Sequence, residues 1–124
     1  MQVAFVPITN VIEYIRDGRL RPLAVTTAKR AELLPNVPAL SEFLSGYDAT
    51  GWNGIGAPKG TSSAIIEKLN IEINAIVLDP TMKARFIGLG VEPLSMTPAE
   101  FGKRIAEDTE KWAKVIKFAN IKAE

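Results

Sequence analysis

The chain contains no histidine and no cysteine. The commonest general base, the commonest zinc ligand, thiolate nucleophiles and disulfides are therefore outside its chemistry. Serines stand at 41, 45, 62, 63 and 95, but none lies in a Gly-x-Ser-x-Gly elbow, and no spacing singles out a Ser–Lys pair. Gly54-Ile-Gly56, followed by Gly60, invites a nucleotide-loop reading. The spacing departs from the dinucleotide fingerprint, and Lys59-Gly60-Thr61 reverses the order a phosphate loop requires. Glu107, Asp108 and Glu110 lie close together on a helix flank where acidic and basic residues alternate. That pattern reads as a solvated face; the competing reading, a metal cluster, lacks convergent hard ligands. We expect no catalysis, no cofactor and no metal.

What remains is binding through the main chain. In open α/β folds, loops at the carboxyl ends of strands expose backbone N–H groups, and helix N-termini favour anions. Pro7-Ile8-Thr9-Asn10 follows a first strand-like run and Thr26-Thr27-Ala28 a second. Each offers amides and a hydroxyl, which suits a carboxylate. Pro7, Ile8, Thr9, Thr26 and Thr27 are the candidate ligand-side residues.

The elements that would position them can be taken in order. Residues 2–6 form a short apolar run that ends at Pro7 and reads as a buried strand. Asn10, with Glu13 three residues on, resembles an N-cap arrangement, and Val11, Ile12 and Ile15 share the face of a helix closed by Gly18. Residues 20–26 read as a second strand and 27–36 as a polar, solvated connection. Val37-Pro38 opens a short helix carrying Leu40, Phe43 and Leu44. Residues 47–57 read as a third strand running into a glycine-rich stretch, 51–60. That stretch is either a buried strand ending in a turn or a hinge that leaves the backbone approachable, with Trp52 and Gly54 as hinge residues.

Ile65, Ile66, Leu69, Ile73, Ile76 and Val77 then mark a long helix capped at Thr61, Ser62 or Ser63. Asp79-Pro80 caps a further helix that turns Met82 and Phe86 inward and stops near Gly88 or Gly90. Residues 91–96 are extended. Thr97-Pro-Ala-Glu100 combines a capping box with Pro at the first helical position. Phe101, Ile105, Trp112 and Ile116 follow on one face, with Trp112 expected in the core.

At 124 residues, with 47% hydrophobic and 23% charged content, the chain suits one globular domain around a single core. A net charge of +1 gives no nucleic-acid footprint. No apolar run approaches a membrane span, and the N-terminus lacks the basic and apolar regions of a signal peptide. It begins abruptly, as a strand would if the natural chain started earlier.

The ordered set of Gly18-Arg-Leu-Arg-Pro-Leu-Ala-Val-Thr-Thr27, Lys29-Arg30, Leu34-Pro-Asn-Val-Pro-Ala-Leu-Ser-Glu42, Gly51-Trp-Asn-Gly-Ile-Gly-Ala-Pro-Lys-Gly-Thr61, Ile66-Glu-Lys-Leu-Asn70, Gly90-Val-Glu-Pro93 and Thr97-Pro-Ala-Glu-Phe101 resembles one family. It is that of the Bug-type extracytoplasmic solute receptors of tripartite tricarboxylate transporters. The resemblance spans essentially the whole chain and matches the C-terminal part of a receptor about twice as long. It implies an α/β, periplasmic-binding-protein-like fold: a mixed or parallel sheet flanked by helices, in a partial two-lobe architecture with its hinge near 51–60. Residues 1–50 would end the second lobe, 51–60 cross the hinge, and 61–124 supply the C-terminal helices and strand that complete the first lobe.

The implied function is closure on a small organic carboxylate in the periplasm and its delivery to membrane transporter subunits. Several members with amino-acid ligands carry Asp, able to pair an ammonium, where this chain has Val6, so the resemblance implies a non-amino carboxylate as the ligand. Elements shaped to pack on absent partners would expose apolar area, so a homo-oligomer is expected, with elements exchanged across 51–60. The alternative is an α/β fragment that oligomerises and has no physiological ligand.

Overall fold

A computed structural model describes residues 3–122. The helices are α1 (Ile8–Arg16), α2 (Ser63–Leu78), α3 (Pro80–Gly88) and α4 (Pro98–Phe118), with a 3-10 turn at Leu40–Glu42. The chain forms two compact units. One runs up to Gly56 and includes Ile76–Leu94; the other comprises Ala57–Ala75 and the chain from Ser95 onward.

Two helix starts form as their sequences predict. Asp79 accepts the Met82 amide at 2.9 Å, with Pro80 in the first helical position, where its missing N–H costs nothing. Thr97 and Glu100 form the reciprocal box: the Glu100 amide donates to Thr97 Oγ1 at 3.2 Å, and the Thr97 amide donates to Glu100 Oε2 at 2.8 Å. α1 is different. It begins at Ile8 with Pro7 as its N-cap, not at Asn10. The ring of Pro7 already fixes φ near the helical value, so the chain turns at once and Asn10 falls inside the first turn, its amide on the Pro7 carbonyl at 3.0 Å.

The strand-like runs behave otherwise. None of residues 3–6, 20–26, 47–57 or 91–96 forms a strand, so the expected mixed or parallel sheet is absent among the described residues; Gln2, the start of the first run, lies outside them. One parallel bridge pairs Val25 with Ala39. There the Val25 amide donates to the Pro38 carbonyl and the Leu40 amide to the Val25 carbonyl, both at 2.9 Å. On the opposite edge, the Ala49 amide donates to the Thr26 carbonyl at 2.9 Å. The short helix expected from Pro38 shrinks to the 3-10 turn, because Pro38 gives its carbonyl to this bridge.

The core lies in the first unit: Ile12, Val25, Ala31, Val37 and Ala39, with Ala39 only 1% exposed. Ile8 and Leu34 pack against the last four of these. The 27–36 stretch is irregular and mostly exposed, as a solvated connection would be, but it also supplies Ala31 and Leu34 to the core. Within the same unit, Gly90 sits at φ +82, and a Cβ there would stand 2.6 Å from Ile8 Cγ2. The second unit has no fully buried side chain among the described residues. Asn70 and Asn74 of α2 both donate to the Met96 carbonyl, at 2.9 and 3.1 Å. Trp112, expected in the core, is 39% exposed, and Ile105 and Ile116 beside it are exposed too. The stripe on α4 exists, with Phe101 half-buried and its other members partly exposed.

Candidate functional site

Pro7, Ile8 and Thr9 occupy the cap and first turn of α1. That turn has no side-chain cap and no acidic residue. The first amides of a helix lack intrahelical acceptors, and the dipole places partial positive charge there. Ile8 is half-buried and faces the core cluster; Pro7 and Thr9 are exposed. Thr9 Oγ1 makes one hydrogen bond, to Asn10 Oδ1 at 3.2 Å.

Thr26 and Thr27, both half-buried, follow directly on the bridged Val25. Val25 belongs to the cluster that receives Ile8, so one apolar contact set seats both predicted stretches. The hydroxyls here are committed: Thr26 Oγ1 donates to the Ala49 carbonyl at 3.2 Å and Thr27 Oγ1 to the Lys29 carbonyl at 2.6 Å. They hold the turn, and as donors they are spent. Trp52 and Gly54 lie in a stretch, 51–60, that is exposed throughout.

A cluster beside Thr27 escapes a reading by motif. Arg30 donates through Nε to Glu42 Oε1 and through a terminal nitrogen to Oε2, both at 2.7 Å, and its other terminal nitrogen reaches the Pro35 carbonyl at 3.1 Å. Glu42 Oε1 also accepts the Ala39 amide at 2.8 Å, and Ser41 Oγ donates to the Ala28 carbonyl at 2.8 Å. The hydrogen bonds from the Arg30 guanidinium, then that from the Ala39 amide, hold the Glu42 carboxyl down at about 2. The sequence signal was available: Glu42 stands three residues after Ala39 in a proline-led turn, with an arginine across the intervening loop.

Three ion pairs lie on α4. Lys103–Glu107 and Arg104–Asp108 approach to 3.7 Å and Lys114–Glu110 to 2.6 Å, all at i, i+4 spacing on α4. The acidic trio is thus a salt-bridged helix face, and the described residues hold no group of three or more metal-ligating side chains. An open groove of about 330 Å³ in the second unit, lined by Ser95, Met96, Glu100, Lys103, Arg104 and Glu107, includes none of the predicted ligand-side residues. No helix among the described residues is long and apolar enough to cross a membrane.

The family model described as "Tripartite tricarboxylate transporter family receptor" matches residues 1–121. The chain belongs to that family. A UPF0065 protein of Bordetella bronchiseptica is 34% identical over 113 residues, which cover 91% of this chain and 34% of that relative. BugT of Bordetella pertussis is 36% identical over 110 residues, 86% of this chain and 33% of BugT. The chain thus spans about a third of the length of these relatives. Among solved structures, Rpa4515 of R. palustris with adipate matches with a TM-score of 0.82 and 31% identity, over 91% of this chain and 38% of that one. The periplasmic binding protein BugD matches with a TM-score of 0.80 and 29% identity, over 92% and 39%. The fold of this receptor-family chain is accordingly periplasmic-binding-protein-like.

Proposed function

We propose that this chain is the solute-binding component, or its C-terminal portion, of a tripartite tricarboxylate-type transporter. It holds a small organic carboxylate, catalyses nothing, and serves membrane transporter subunits from the periplasm. The observation that carries the reading is the uncapped, acid-free first turn of α1, seated by Ile8 on the cluster that also fixes Val25 ahead of Thr26 and Thr27. A carboxylate meets free amides and a positive helix end there. The structure of the related Rpa4515 with adipate supports an acid of this size.

Pro7, Ile8 and Thr9 contribute main-chain contacts. Thr26 and Thr27 contribute amides, because their hydroxyl protons are already used. Residues 1–50 correspond to the end of one lobe, 51–60 to the crossing with Trp52 and Gly54 as its hinge, and 61–124 to the part that completes the other lobe. Exposure throughout 51–60, where the chain passes between units at Gly56, supports the crossing.

Thermal unfolding with adipate, succinate, citrate or malate tests this reading. An acid at 100 times its dissociation constant stabilises the folded state by ~2.7 kcal/mol, and a matching rise in Tm is expected for at least one of them. Aspartate is expected to stabilise less than succinate, because the exposed Val6 offers an ammonium no partner. If no acid moves Tm, the second reading stands: an α/β fragment that self-associates and has no physiological ligand. The exposed apolar side chains on α2 and α4 favour that alternative.

A further inference from the structure

We propose that Arg30 and Glu42 are positioning residues that lock the 25–28 backbone in the form that presents its amides to a ligand. This rests on the carboxylate reading of that edge, but the lock itself is visible without a ligand.

The path is short and continuous. The Arg30 guanidinium grips both Glu42 oxygens in parallel, and its remaining terminal nitrogen ties down the Pro35 carbonyl. Planar, bidentate pairing of this kind fixes direction as well as distance, which a lysine cannot reproduce. Glu42 passes the constraint to the Ala39 amide. Ala39 is the most buried residue of the core and the bridge partner of Val25. Thr26 and Thr27 come next in the chain. From the other side, Ser41 beside Glu42 holds the Ala28 carbonyl. The segment 25–28 is thus held at both ends by the 39–42 turn, and Arg30 holds that turn.

The pair is solvent-exposed, and exposed ion pairs add little to global stability. A role in local geometry accounts for three coordinated contacts on one side chain where a role in stability does not.

Arg30→Gln, Arg30→Lys and the exchanged Arg30→Glu/Glu42→Arg chain are compared with the wild type. Two readouts are taken: amide hydrogen exchange at Val25, Leu40 and Ala49, and the dissociation constant for adipate. All three amides are hydrogen-bonded in pairings made by residues 25 and 26, the first two on the side of the 39–42 turn and the third on the opposite edge. In Arg30→Gln their exchange is expected to speed by about tenfold, while amides in α4 keep their rates and Tm barely moves. Adipate binding is expected to weaken by about tenfold, with little recovery in Arg30→Lys and none in the exchanged chain, where an arginine at position 42 has no oxygen to accept the Ala39 amide.

Unchanged exchange at the three amides in a folded Arg30→Gln chain overturns the proposal, whatever the binding result. So does undiminished adipate affinity in a chain whose exchange has accelerated. If the wild type binds none of the acids, the carboxylate reading fails, and the exchange rates alone decide whether Arg30 holds the edge. Should Arg30→Gln fail to fold, the pair is structural throughout and the proposal falls.

Discussion

Glu42 is a carboxylate whose charge the fold uses, and its acid titration can be worked out in advance. Its carboxyl is held at about 2, against 4.5 for the free group, by Arg30 and the Ala39 amide. A depressed folded pKa means that the unfolded chain takes up the proton first on acidification. The contribution of Glu42 is therefore whole above about pH 4.5, declines as pH falls, and is gone near pH 2. Glu100 and Glu110 are lowered as well, by the Thr97 amide and by Lys114 respectively, and add to the same acid limb. Replacing Glu42 by Gln removes only its own share. Because the pair is exposed, the Tm of wild type and Glu42→Gln should differ only slightly near neutrality and converge between pH 4.5 and 2; parallel curves would show that the Arg30 pair carries no pH-linked stability. Neither partner belongs to a catalytic or metal motif, which is why residue types alone pass over this pair. Thr26 and Thr27 show the opposite case. Their types suggested free hydroxyls, and the structure turns both hydroxyls onto carbonyls.

Helix ends were legible in the sequence because their hydrogen bonds close within four residues. Asp79 with Met82, and Thr97 with Glu100, need no distant partner. Thr97→Ala should cost about 1 kcal/mol, read as a fall in the denaturant midpoint with an unchanged slope. Strands were not legible in this way. The apolar runs at 3–6, 20–26 and 47–57 carry strand-like residues, but a strand exists only when a second backbone takes up its N–H and C=O groups. Val25 finds such a partner in Ala39, and Thr26 receives one bond from Ala49. The contact between Gly90 and Ile8 was equally out of reach, being set by the approach of a loop to α1. Gly90→Ala meets both a left-handed φ and the Ile8 side chain at 2.6 Å. A cost of about 2 kcal/mol or more is expected from strain and overpacking together. Because Ile8 seats the first turn of α1, this variant should lose ligand binding along with stability. Gly18→Ala, at φ +70 with nothing within 4 Å, should show the strain alone.

On the scale of the whole chain, burial is scarce where apolar residues are plentiful. The buried side chains belong to the first unit, and the second has none among its described residues. α2 is apolar around most of its circumference, with Ile65, Leu69, Ile71, Ile76 and Leu78 all exposed, and a helix of that kind normally lies inside a fold. On α4, Phe118 is 94% exposed. Apolar surface on this scale is expected to find cover in solution, because each buried leucine or isoleucine side chain returns about 1.5–3 kcal/mol. The relatives are about three times as long as this chain; for this chain we expect the cover to come from a second copy. Light scattering at micromolar concentration should therefore give a mass at least twice 13.5 kDa. Leu69→Lys, which charges a partly exposed apolar position midway along α2, should lower that mass or weaken association by about tenfold, while the Val25–Ala39 core, in the other unit, stays folded. A monomer at every concentration, with α2 still helical, would mean that the second unit is stable with its apolar face in water, and association would then have no driving force.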